Sequence, residues 1–218
     1  MRMNEFRYCL YLCMMRRSLF ILMLTPCLLW AQQTVQISAL GNYKNIYFGQ
    51  ENDVRKLDSL PEKLEDLDII MIFSGSTSQL SSSDVERLVQ FMNEGGGLYL
   101  GAENWPLQAE CNQLTNRLFN KEIYGEYEQS EAVVSLEEGN IQLIKENRIP
   151  AGATTVAFPM DHRLKVEAWV EDQPLILSGQ VGHGHVIIDG GYSRFYSDRS
   201  SKSTMQLMQL FIGYLKGK

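Results

Sequence analysis

The chain has 218 residues, 20 of them basic and 26 acidic, for a formal net charge of −6 at pH 7. Without its first 31 residues it carries 16 basic and 25 acidic side chains, a net of −9. That balance, with no basic run and no interleaving of aromatic and basic residues, argues against binding nucleic acid or an anionic lipid surface.

The N-terminus reads as an export signal. Met14-Met15-Arg16-Arg17 is a short basic segment, Ser18–Trp30 is apolar, and Ala31 is a small residue suited to the cleavage position. Residues 1–31 are therefore expected to be a signal peptide, with Met14 or Met15 as alternative starts. The apolar run is shorter than the roughly 20 residues of a membrane span. Retention as an uncleaved anchor is the other reading. Leu24-Thr25-Pro26-Cys27 is similar to a lipoprotein acylation site, but proline before the cysteine fits that motif poorly. The expectation is a secreted or periplasmic protein with no membrane association after cleavage. The remainder, 32–218, has the length of one domain and is ample for a core. Three of the four cysteines lie in the signal region, so the mature chain keeps only Cys111. It has no internal disulfide and must be held by its core.

Thr34–Leu40 reads as a strand and Asn45–Phe48 as a second, shorter one. Leu57, Leu60, Leu64 and Leu67 recur at helical spacing, with Pro61 breaking or restarting the helix. Ile69-Ile70-Met71-Ile72-Phe73 is apolar without alternation, the pattern of a strand buried on both faces. Ser83 and Glu86 have the spacing of a capping box. Val85, Leu88, Val89 and Met92 then mark one helical face. Gly95 suits a left-handed cap, and Leu98–Leu100 is the next strand. Leu107, Cys111, Leu114 and Leu118 form another helical face. The alternation of strand and helix predicts a parallel βαβ arrangement.

Beyond Asn120 short strands crowd together: Ala132–Leu136, Thr154–Phe158, Leu164–Val170, Pro174–Ser178 and His185–Asp189. The last two are expected to form a hairpin around Gly182–Gly184. A final helix runs from Lys202 to Leu215, with Met205, Met208, Ile212 and Leu215 inward. The fold class expected is α/β: a flavodoxin-like three-layer sandwich with a mostly parallel central sheet and a β-rich C-terminal half.

Asp68–Gly75, the helix over Asp84–Glu94, Gly95–Gly97 and the strand to Gly101 resemble the core of class I glutamine amidotransferase-like domains. The closer likeness is to their non-amidotransferase branch: ThuA-like proteins, β-galactosidase trimerisation domains, and domains of gliding-motility and intraflagellar-transport proteins. Gly182–Asp189 followed by a terminal helix is similar to these as well. The resemblance implies one amidotransferase-like α/β domain over 32–218. In catalytic members a strand enters a Gly-x-Cys-x-Gly turn that exposes a thiolate at a helix N-terminus. Aligning Gly101 with the first glycine places Glu103 at the nucleophile and Trp105 at the second glycine. No His-x-Glu follows a late strand. The amidotransferase mechanism is carried to no residue here.

Other candidates are weighed on their own chemistry. Cys111 sits in register with Leu107 and Leu114 and reads as core. His183 and His185 with Asp189 suggest a metal site or a base, but His183 stands in a Gly-x-Gly turn and no third ligand is evident nearby, so no metal and no cofactor is expected. Ser74-Gly75-Ser76-Thr77-Ser78 lacks the nucleophile-elbow spacing, yet its hydroxyls follow a strand. Gly190–Arg199 leaves the carboxyl end of another strand, where open α/β sheets bind ligands. Its tyrosines and arginines could stack on and hydrogen-bond a sugar or a carboxylate. The candidate ligand-binding residues are Ser74, Ser76, Glu103, Asn104, Trp105, Tyr192 and Arg194, brought together from three strand ends. Glu103 and Arg194 are expected to pair when no ligand is present. The expected function is non-catalytic binding of a small polar ligand, such as a carbohydrate, or of a protein partner. The alternative is a hydrolase with Glu103 as acid/base.

Intact-mass measurement of the protein from its native envelope tests the export reading. Cleavage after Ala31 predicts a chain beginning at Gln32; a mass that retains residues 14–31 indicates an anchor.

Overall fold

The run Ile69–Phe73 is fully buried at every position, and the reason lies on both sides of it. Ile69, Met71 and Phe73 pack into one apolar cluster, while Ile70 and Ile72 pack into another. A strand covered on both faces has no solvent side to alternate with. The computed structural model describes residues 35–127, 131–134, 140–141, 148–152, 155–158 and 161–217. They belong to a compact unit spanning Val35–Lys218. The signal-peptide reading of residues 1–31 lies outside the described residues.

The strands are β1 (Ile37–Gly41), β2 (Val54–Leu57), β3 (Ile69–Phe73), β4 (Gly97–Gly101), β5 (Tyr124–Tyr127), β6 (Glu131–Val134), β7 (Arg148–Pro150), β8 (Thr155–Ala157), β9 (Leu164–Val170), β10 (Gln173–Val181) and β11 (Gly184–Asp189). The helices are α1 (Ser82–Asn93), α2 (Ala109–Phe119) and α3 (Lys202–Leu215). Among the described residues nine strands form one sheet in the order β2-β1-β3-β4-β11-β10-β9-β6-β7, and β5 pairs with β8 apart from it. The pairings from β2 to β11 are parallel. Those from β11 to β7 are antiparallel. The fold is thus a mixed α/β sheet whose antiparallel half is as wide as its parallel half. The local pattern that identified the parallel strands carried no information about pairing direction in the short strands that follow.

Helices α1 and α2 cover one face through Val85, Leu88, Met92, Cys111 and Leu114. Helix α3 covers the other through Leu207, Met208, Phe211, Ile212 and Leu215. Met205 is only half-buried, and Leu207 and Phe211 take the inward positions instead. The cap of α1 also falls earlier in the sequence than Ser83 and Glu86. The Ser81 hydroxyl accepts the Asp84 N–H at 3.2 Å, and the Asp84 carboxylate accepts the Ser81 N–H at 3.0 Å. Just past the C-cap of α1, Gly95 takes a φ of +106°. The Gly95 N–H reaches the Met92 carbonyl and the Gly96 N–H reaches the Phe91 carbonyl, a Schellman closure.

Two expected elements take other forms. The leucine quartet does not make a helix. Leu57 ends β2, and residues 58–68 run as turns, with Leu57 and Leu64 buried in the helix-covered cluster and Leu60 and Leu67 packed against it. Pro61 removes a backbone donor there, and four leucines can be buried by a winding loop as well as by a helix. Asn45–Phe48 contributes only an isolated bridge, Ile46 to Tyr196.

Strand β11 runs into Gly190, where the chain passes very close to β8. A Cβ on Gly190 would lie 1.7 Å from the Val156 carbonyl oxygen. The same glycine donates to the Leu175 carbonyl and accepts from the Val156 N–H, so it has no room to retreat. Gly190→Ala is expected to destabilise the fold by about 3 kcal/mol, the scale of an overpacked core. Urea unfolding checks it: a lower midpoint at unchanged slope is expected, and an unchanged midpoint contradicts the close approach.

Candidate functional site

Parallel strands deliver their outgoing turns to one edge, and the register here aligns four of them. Gly41 of β1 stands beside Phe73 of β3, Phe73 beside Gly101 of β4, and Gly101 beside Asp189 of β11. Backbone bonds carry the alignment past the strand ends. Asn42 N–H donates to the Phe73 carbonyl, Ser74 N–H to Gly101, and Ala102 N–H to Asp189, at 2.7 to 2.8 Å.

The order β2-β1-β3 means that the chain leaves β1 to one side for β2 and resumes on the other side at β3. The crevice outside the carboxyl ends at such a reversal is the usual ligand position in open α/β sheets. A groove of about 440 Å³ lies there. Gly41, Asn42 and Lys44 form one wall, Gly75, Ser76, Thr77 and Gln79 the other, and Leu107 and Glu110 close the end. Glu110, in the first turn of α2, is buried and holds the second wall in place. Its Oε2 accepts the Gly75 N–H at 2.8 Å and its Oε1 the Gln79 N–H at 3.1 Å.

The seven residues singled out from sequence divide by position. Ser76 is exposed in the groove. Ser74 is buried beneath it. Its Oγ accepts the Cys111 N–H at 3.0 Å, and its carbonyl accepts the Tyr192 hydroxyl at 3.0 Å. The Tyr192 oxygen in turn accepts from Asn42 Nδ2 at 3.1 Å. Tyr192 is therefore a strut linking the two walls from below, and its ring packs edge-on against Phe73 at 5.7 Å.

Arg194 is 1% exposed and faces inward. Its Nη1 lies 2.5 Å from both oxygens of Asp189, while Nε and Nη2 donate to the carbonyls of Pro150 and Ala151. Asp189 also accepts from the Tyr99 hydroxyl and the Gly191 N–H. The ion pair of Arg194 is made with Asp189, not with Glu103 as expected from sequence.

Glu103 is 2% exposed, and its Oε1 accepts the Ser193 N–H at 2.7 Å. Burial pushes its carboxyl up to about 7, against the opposing pull of its Ser193 hydrogen bonds and the Arg194 charge. Asn104 is half-buried, and its carbonyl accepts the Leu107 N–H. Trp105 is 73% exposed. Helix α2 begins only at Ala109, so residues 104–108 separate Glu103 from it. A nucleophile elbow passes straight from strand to helix, and this turn does not.

The three predicted strand exits meet, and Asp189, Asn42, Lys44, Gln79 and Glu110 join them. The rule of the reversal point, applied to the Gly41-Asn42 exit of β1, was the signal that could have found the first wall. Of the histidines near the hairpin, His183 is exposed in the turn and His185 packs edge-on against Tyr214 at 4.9 Å.

No protein-family model matches the sequence, and no curated protein does. Solved structures do match in fold. The chain is similar to the mmIFT52 N-terminal domain, with a TM-score of 0.63 and 11% identity over 83% of this chain and 97% of that one. It is similar to the cytoplasmic protein STM1381 from Salmonella typhimurium LT2, with a TM-score of 0.56 and 15% identity over 75% and 82% of the two chains. A third similarity is to the beta-galactosidase from Bacillus circulans sp. alkalophilus, with a TM-score of 0.56 and 9% identity. There the match covers 83% of this chain but spans only 31% of the enzyme's length. At identities this low the likenesses show a shared fold and nothing more.

The raised carboxyl of Glu103 makes stability depend on pH with a defined sign. The native state holds this proton more tightly than the unfolded chain, whose group titrates near 4.5. Its contribution is full below that value and is lost as pH rises through about 7, by at most roughly 3 kcal/mol. Glu103→Gln should flatten the profile over that window. Urea midpoints against pH for both proteins check it, and parallel profiles would contradict the buried carboxyl.

Proposed function

We propose that the protein is a secreted or periplasmic, non-catalytic domain of the class I glutamine amidotransferase-like superfamily that binds a small polar ligand, such as a carbohydrate, in the groove between β1 and β3. Its parallel half is read as flavodoxin-like, since the order β2-β1-β3-β4-β11 puts the fifth parallel strand beside β4. The observation that carries the binding reading is the groove itself. It stands at the reversal of strand order and is walled by amides and hydroxyls from two strand exits. Export is supported by the Arg16-Arg17 pair, the apolar run and Ala31. Cleavage there would leave β1, which starts at Ile37, intact.

The hydrolase alternative needs Glu103 at a reacting centre. The Glu103 side chain is buried, accepts a backbone N–H, and does not belong to the groove's lining. These facts favour Glu103 as a positioning group for the 190–196 segment. A protein partner is the second reading, favoured by Trp105, a large aromatic residue at 73% exposure that suits an interface anchor.

A thermal-shift screen of uncharged sugars and small organic acids, followed by calorimetry, tests the proposal. Asn42→Ala and Ser76→Ala should each weaken the best ligand by about tenfold, as loss of one buried polar contact would. Circular dichroism should stay native. Unchanged affinity in both variants overturns the groove assignment.

A further inference from the structure

We propose that Glu110 sets the ligand class of the groove: its carboxylate fills the backbone donors of the 75–79 turn, so that the groove accepts an uncharged polyhydroxyl ligand and rejects phosphates and carboxylates. The inference rests on the groove being the ligand site.

The turn after β3 would otherwise be an anion cradle. It carries Ser74-Gly75-Ser76-Thr77-Ser78 at a strand end and stands against the start of α2, where helix N–H groups and the helix dipole favour negative charge. Both turn donors that face α2 are already engaged. Glu110 takes the Gly75 N–H through Oε2 and the Gln79 N–H through Oε1. Glu110 is 1% exposed, so the arrangement is built into the fold and is not a surface side chain that swings aside. An incoming phosphate would meet occupied donors and a fixed negative charge at the end of the groove.

What the groove still offers is neutral in sum. Lys44 and Glu110 are its charged lining residues and are opposite in sign. The amides of Asn42 and Gln79 and the hydroxyls of Ser76 and Thr77 each supply both donor and acceptor atoms. Ligand hydroxyls, which each donate and accept, match that set better than a carboxylate, which only accepts, or a phosphate, most of whose oxygens only accept. Leu107 adds an apolar contact suited to the C–H face of a sugar ring. The net charge of the chain is −6, which repels anions at longer range.

The test is amide NMR on the full chain, following the Gly75, Ser76 and Gln79 resonances. The probes are inorganic phosphate, acetate, glucose, xylose and maltose at matched concentrations. In the wild type, at least one sugar should shift these amides saturably, while phosphate and acetate should not. In Glu110→Ala, phosphate should bind at the freed Gly75 and Gln79 N–H groups with a gain of about tenfold or more, and in Glu110→Gln, whose amide oxygen still accepts one of the two, the gain should be smaller. Phosphate binding the wild type as tightly as the variants overturns the role of Glu110 and leaves the groove assignment standing. No shift of groove amides by any probe in any form overturns the groove assignment itself. If either variant fails to fold, the wild-type preference between sugars and phosphate still decides the question.

Discussion

One buried guanidinium ties the exit of β11 to the end of β7, across the antiparallel half of the sheet. Arg194 pairs with Asp189 at the end of β11, the strand that is parallel to β4 on one side and antiparallel to β10 on the other. It also donates to the carbonyls of Pro150 and Ala151, where β7 ends at the far edge of the sheet. Both charged side chains are fully buried. A buried pair stabilises only if the remaining donors and acceptors are satisfied. That condition is met, because the Tyr99 hydroxyl and the Gly191 N–H take up the rest of Asp189. Loss of either partner would leave an uncompensated charge in the core, at a cost on the order of 3–5 kcal/mol.

That constraint accounts for the burial of residues 190–195, after which the segment turns outward and 197–200 are exposed. With Arg194 drawn inward, Tyr192 and Phe195 follow it, and each packs edge-on against a core ring, Phe73 and Phe211 respectively. The Ser193 N–H is left pointing at Glu103, which ties the exit of β4 to the same segment. Polar groups that look like binding chemistry in the sequence thus become the internal supports of a neighbouring groove. The Tyr192 hydroxyl transmits that support to the walls through Ser74 and Asn42.

Sequence patterning reached the parallel half well because its signals are local. An unbroken apolar pentapeptide and a glycine stop each have one dominant structural reading, and β3 and the end of α1 follow from them, whereas a run of three serines before Asp84 left the capping residue ambiguous between Ser81 and Ser83. Strands β9 and β11 were legible for the same reason. The leucines from 57 to 67 were misread because helical spacing and loop burial draw on the same residues, and only tertiary contact separates them. For the site, the convergence of strand exits was legible from topology, since parallel strands share an edge. Which side chains face the groove was not. A tyrosine or an arginine in a glycine-rich loop reads alike whether its partner is a ligand or a buried aspartate 5 residues away, as Asp189 is from Arg194. Glu110 was hidden for a related reason, because a glutamate in the first turn of a helix usually signals nothing beyond a favourable dipole.

The central claim is that the carboxyl ends of β1 and β3 form the ligand site, while Glu103, Tyr192 and Arg194 act as its scaffold. A crystal structure of the protein with its best-binding ligand tests that division most directly. The account predicts ligand density between residues 41–44 and 75–79, with the Arg194–Asp189 pair and the Glu103–Ser193 contact undisturbed. Density against Trp105 and the 190–199 segment, with Arg194 turned from Asp189 toward the ligand, would contradict it.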